Sequence, residues 1–156
     1  MPTSILAKLR ALIDGFAPSP EMRAQREAQA LQGACCGLLM EVARLDSAAA
    51  ERKRAAVSQA MREEFGIANE ELAPMIASAA RPENRLTSYF SPVALINQGY
   101  APEQKAQFIE RLWRVAIADG DIDMYEDQLV RKLADLLYVP HADFILAKHR
   151  VQNAVC

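Results

Sequence analysis

At 156 residues and 51% apolar content, the chain is long enough to bury a core that offsets chain entropy, which argues against general disorder. Eighteen Lys and Arg against 20 Asp and Glu leave a net charge of −2, which excludes the basic field that nucleic-acid binding requires. No uncharged apolar run reaches membrane-spanning length, so stable membrane insertion is not expected.

The start, Met-Pro-Thr-Ser-Ile-Leu-Ala-Lys, lacks the charged n-region and cleavage site of a signal peptide. Three cysteines without metal-type spacing point to a reducing, cytoplasmic setting. Cys35 and Cys36 are adjacent, so on a helix they point about 100° apart and read as two buried small hydrophobes.

In chain order, Ile5, Leu6, Leu9, Leu12, Ile13 and Phe16 form one apolar stripe at helical spacing, with Ser4 as the cap and Gly15, Pro18 and Pro20 as the stop. Residues 1–20 are therefore expected to be an amphipathic helix and a Pro-containing linker. The helix either packs on the core or serves as an arm that touches a partner. Residues 21–156 are expected to be one helical domain. Its first helix, 21–45, carries Ala28, Leu31, Cys35, Leu38, Leu39 and Val42 at three- and four-residue steps. Gly33 and Gly37 in it each cost about 1 kcal/mol against alanine, so close approach of another helix is expected there.

A helix from 48 to 65 ends at Gly66, and Asn69 caps another to about Ala80, its first turn limited by Pro74. The triplet Arg52-Lys53-Arg54 inside the first of these reads as a solvated helix face. Leu86 to Asn97, interrupted by Pro92, predicts two short helices ended by Gly99. Pro102 opens a mostly buried helix through Phe108, Ile109, Leu112, Trp113, Val115, Ala116 and Ile117. The next carries Tyr125, Leu129, Leu133, Leu136 and Leu137. The last starts near Pro140 and His141, with Phe144, Ala147 and Val151 inward. No stretch alternates as a strand would, so the fold class is all-α, of about seven helices.

The chain also echoes itself. Leu38 to Asp46 matches Glu110 to Asp119 in apolar spacing, and Phe65-Gly66-Ile67 answers Leu137-Tyr138-Val139. The pattern predicts two related helical hairpins packed together, bringing Asp46 near the turn at 119–126.

That turn concentrates the polar chemistry. Asp119, Asp121 and Asp123 alternate and Glu126 follows, a crowd of carboxylates that a hard cation bound through oxygen would relieve. Ca²⁺, Mg²⁺ or Mn²⁺ held by Asp119, Asp121, Asp123 and Glu126, with Asp46 or Glu51 added from the first hairpin, is one expectation. An EF-hand is excluded, because Met124 stands at its sixth position and Val130 at its twelfth. Capping is the competing expectation. Gly120 suits a helix C′ position, and Asp123 with Glu126 suits a capping box at the next helix, where the dipole favours negative charge by about 0.3–1 kcal/mol. Capping leaves Asp119 unexplained. His141 and His149 read as surface residues about 12 Å apart by helical rise, too far to share a metal. No catalytic triad order, phosphate loop or zinc spacing is present.

The run from Leu112 to Lys148, notably Leu112-Trp113-Arg114-Val115-Ala116, Ala118-Asp119-Gly120, Glu126, Arg131 and Ala134-Asp135-Leu136-Leu137, resembles the second half of the tellurite-resistance protein B (TerB-like) family. It is also similar to the N-terminal domain of a DnaJ-like membrane co-chaperone. Leu38 to Arg44 resembles the first half, and the likeness covers roughly residues 28–150. The resemblance implies an all-helical domain of pseudo-twofold halves that binds a divalent cation through acidic turns and acts in stress-linked assemblies rather than as an enzyme. By position, Asp119 and Glu126 carry over to the family's acidic pair and Asp46 to the first-half aspartate. Ser47 replaces the glycine, however, and Lys53 stands seven residues after Asp46, where a second acid is expected. Two functions follow. The first is a metal-responsive stress module; the second is a metal-independent adaptor or co-chaperone-like module for an unidentified protein partner, with a homodimer allowed.

Overall fold

The computed structural model describes residues 5–16, 19–44 and 50–155, and all regular structure among them is helical. In chain order the helices are α1 (Ile5–Phe16), α2 (Pro20–Ala43), α3 (Ala50–Phe65), α4 (Asn69–Ala80), a 3₁₀ turn (Pro82–Asn84), α5 (Phe90–Gly99), α6 (Pro102–Ala116), α7 (Met124–Leu136) and α8 (His141–Val155). The all-α expectation holds, with one helix more than the seven expected. Ser4, Asp46 and Ser47 lie outside the described residues.

The chain divides into two compact units, Met1–Ala30 and Leu31–Cys156. In the first, α1 ends at Phe16, just past Gly15, where the sequence places its stop, and Ile5, Leu6, Leu9 and Leu12 are exposed. In the second, the core is built around α6, whose Phe108, Ile109, Leu112, Trp113, Val115 and Ala116 are all buried, as their spacing predicts. Helix α6 packs against α3, α7 and α8; α3 also packs on α4, and α7 on α8. From α8 come Phe144, Ala147 and Val151, all buried. Each buried aliphatic or aromatic side chain contributes about 1.5–3 kcal/mol, so this central helix carries much of the unit's stability. Cys35 and Cys36 are buried among Leu38, Leu39 and Val42, as small hydrophobes would be.

Several local expectations are corrected. The segment 86–97 contains one helix rather than two, starting at Phe90, because Pro92 falls in the first turn of α5, where its missing N–H has no partner to lose. Helix α4 runs to Ala80 as expected, with Pro74 inside it and Leu72 and Ile76 buried. The N-cap of α4 is Ala68, and Asn69 instead accepts a hydrogen bond from Arg62 Nη1 at 3.0 Å. Among the described residues no helix closes on the α2 glycines. A Cβ on Gly33 would meet nothing within 4 Å, and one on Gly37 would sit 3.7 Å from the Leu86 side chain.

The internal echo has a backbone counterpart. Gly66 follows α3 at φ 64° and Tyr138 follows α7 at φ 58°. The chain turns out of the second helix of each hairpin through the same left-handed step.

Candidate functional site at the α6–α7 turn

Helix α6 ends at Ala116 with Ile117 as its C-cap, too early for Gly120 to be its C′ residue. Gly120 instead closes a further turn at φ 100°, donating its N–H to Ile117 O at 2.8 Å. Asp119 therefore lies in the connection rather than in the last helical turn. Its Oδ1 accepts from Asp121 N at 3.3 Å, an Asx-type closure that gives this carboxylate a local role. Asp123 is the N-cap of α7, accepting from Glu126 N at 2.7 Å, one half of the expected capping box.

The other half is absent, because the Glu126 side chain turns inward. It is 1% exposed, and its Oε1 accepts from Lys53 Nζ at 2.6 Å; Lys53 is 0% exposed. Arg52 and Arg54 are solvated as expected, but the middle residue of that triplet is not: Lys53 is among the most deeply buried side chains of the protein. The physical reason is charge matching. A carboxylate taken out of water costs several kcal/mol unless a cation accompanies it, and Lys53 supplies the cation from the facing hairpin. By the internal echo Lys53 and Glu126 are equivalent positions, seven residues after Asp46 and Asp119. Their direct contact is what two pseudo-twofold hairpins packed together would produce.

Helix α7 carries Glu126 on its inward face. Glu126, Val130, Leu133, Ala134 and Leu137 face inward, leaving Tyr125 and Leu136 exposed although both are apolar in sequence. Burial pushes the Glu126 carboxyl up to about 7; Lys53 opposes that rise, and Asp123 and Asp119 add to it by repulsion. The remaining oxygen, Oε2, is buried without a hydrogen-bond partner.

Tested against a divalent cation, the described donors do not fit as they stand. No three His, Cys, Asp or Glu among the described residues are grouped to hold a metal ion. Glu126 faces an ammonium, Asp123 is engaged in a cap and Asp119 in a turn. Asp121 and Glu51 are exposed. A dication at Glu126 Oε2 would stand beside the Lys53 ammonium, charge against charge. Asp46, the fifth expected ligand, lies outside the described residues.

Two further polar sites emerge only in three dimensions. Glu41, 4% exposed, accepts from Arg44 Nη1 at 2.7 Å and from Leu86 N at 3.1 Å, which pins the start of the 86–89 segment to α2. Arg44 also donates to Ala79 O. Elsewhere Tyr100 donates to Glu64, which pairs with Arg111, while Cys35 Sγ lies 3.6 Å from Tyr100 Oη. Burial pushes the Cys35 thiol up to about 12 and the Cys36 thiol to about 11, so neither is a thiolate nucleophile near neutrality. The seven-residue offset from the aspartates is the one sequence signal that could have identified Lys53; Glu41 and Glu64 carry none.

The family model described as "Tellurite resistance protein TerB" matches residues 32–149 of the chain. No curated protein and no solved structure matches it. Among the described residues, no helix is long and apolar enough to cross a membrane.

Proposed function

The chain belongs to the tellurite-resistance protein TerB family, and from that premise we propose that it is a non-catalytic, metal-independent protein-interaction module of a cytoplasmic, stress-linked assembly. The observation that supports metal independence is the 2.6 Å contact between Lys53 and Glu126. The inward carboxylate of the acidic turn is already neutralised by the chain's own ammonium, so the angle between α6 and α7 is set without an ion. The exposed apolar stripe of α1 supports a role in contact with another protein.

Thermal melting in Ca²⁺, Mg²⁺ and Mn²⁺ tests the first half of this reading. None of the three is expected to move the midpoint. An ion at a hundredfold its dissociation constant would add about 2.7 kcal/mol, and a shift of that size lost in Asp119→Asn would replace this reading with a metal-responsive one. That second reading is favoured by one observation, the unpartnered Oε2 of Glu126. For the second half, deletion of residues 1–20 should abolish capture of a partner while the remaining chain still melts cooperatively. Loss of cooperative melting would make the segment part of the fold instead.

A further inference from the structure

Between Arg85 and Glu103 the chain runs for 17 residues without a charge, although 24% of its residues are charged overall. This stretch contains α5 and the segment leading into it. Its start, with the exposed end of α7, encloses a groove of about 480 Å³ lined mainly by Leu86, Tyr89, Phe90, Val93, Lys132 and Leu136. That volume is within the roughly 300–1,000 Å³ typical of binding clefts. Phe90 is 79% exposed and Leu136 40%, so apolar side chains stand open to solvent at the groove. All of these residues belong to the Leu31–Cys156 unit.

Tyr138 is two residues beyond Leu136 in the chain, and the Leu136 carbonyl accepts from Asn97 Nδ2 of α5 at 3.1 Å. Tyr138 occupies the C′ position of α7 in a Schellman arrangement, with Val139 N donating to Ala134 O at 2.9 Å and Tyr138 N to Asp135 O at 3.1 Å. A left-handed backbone there favours glycine and costs other residues about 1–2 kcal/mol, and the equivalent position after α3 is indeed Gly66. Tyr138 is also 80% exposed, so no burial of its ring offsets the strain. A strained side chain that stands in solvent is available to a partner.

The charges at this surface indicate what that is. Lys132 sits 5.4 Å from the Tyr89 ring and Lys105 sits 5.7 Å from the Tyr138 ring. Neither lysine has a carboxylate partner among the described residues, whereas Lys53 and Lys148 both have one. We propose that the groove and Tyr138 together dock an apolar peptide segment of another protein, flanked by carboxylates that pair with Lys132 and Lys105. Aromatic anchors are the usual energetic centre of such an interface, and complementary charge selects the partner and speeds its arrival. An anionic membrane is the weaker fit, since lipid-surface recognition rests on clusters of about four to eight basic residues. This proposal rests on the interaction-module reading and names the partner's chemistry.

The test is a displayed library of random 16-residue peptides selected on the full-length chain. Enriched sequences should place Asp or Glu beside apolar residues. Tyr138→Gly, which relieves the backbone and so folds at least as well, should weaken them at least tenfold, as should Phe90→Ser. Lys132→Glu should do the same and be rescued by a peptide with Lys in place of its acid. No enrichment, enrichment of basic peptides, or binding indifferent to Tyr138→Gly would overturn the proposal. So would preferential binding to vesicles of phosphatidylcholine with phosphatidylserine that those same substitutions abolish. If the groove fails while deletion of residues 1–20 still abolishes partner capture, the interaction-module reading stands and only the surface is wrong.

Discussion

Replacing Lys53 by Met removes the cation from a pair whose members are 0% and 1% exposed. The carboxylate left behind keeps one oxygen with no partner and loses the partner of the other. Breaking a buried ion pair from one side costs about 3–5 kcal/mol, a large part of the roughly 5–15 kcal/mol by which a domain is stable. Urea unfolding should register that loss for Lys53→Met, and a comparable one for Glu126→Leu, which strands the ammonium. The double variant Lys53→Met with Glu126→Leu should recover most of it, because an apolar pair of similar volume escapes the desolvation cost altogether. Titration gives a second readout with a definite sign. The Glu126 carboxyl is raised from 4.5 to about 7 on folding, so its stabilising contribution is fully present below about pH 4.5 and is lost as pH rises through 7. The difference amounts to at most about 3 kcal/mol, and Glu126→Gln should remove that part of the pH dependence. Two single variants that each cost under about 1 kcal/mol and add without coupling would refute a buried pair.

Other outcomes are equally specific. Tyr138→Gly should raise stability by about 1 kcal/mol in thermal melts, since it removes the left-handed strain; a loss would show that the Lys105 contact outweighs the backbone. Asp123→Ala should cost about 0.5–2 kcal/mol through loss of the α7 cap, while Asp121→Ala should stay within about 0.5 kcal/mol; equal effects would argue against the capping geometry. In a Cys156→Ser background, Cys35 and Cys36 should resist Ellman's reagent until denaturant unfolds the chain, because both are buried with thiols pushed up to about 12 and 11. The single Trp, Trp113, should emit in the blue and resist acrylamide quenching until the chain unfolds, as it is wholly buried against Phe144; ready quenching in the native state would contradict the packing of α6 on α8.

Much of this protein is legible in the one-dimensional pattern. Three- and four-residue apolar spacing located α1, α2, α6 and α8, because the apolar stripe of an amphipathic helix is a property of local sequence, and in α6 and α8 that stripe turns inward. Gly66 as the stop of α3 and Asp123 as the cap of α7 were legible for the same reason, since both depend only on backbone groups a few residues away. The echo between the two halves was also visible in sequence.

The facing partner of a charge was not. Lys53 sits between two solvated arginines, and nothing within its own helix distinguishes it from them. Its burial depends on a carboxylate 73 residues later in the chain, and the helix face that carries it leaves Tyr125 and Leu136 toward water. Nor does spacing along the chain show that Phe90 and Tyr138 stand outward. Periodicity reports which side of a helix is apolar. Only the packed arrangement decides which charges are taken out of water together, and which apolar side chains are left over when the core is full.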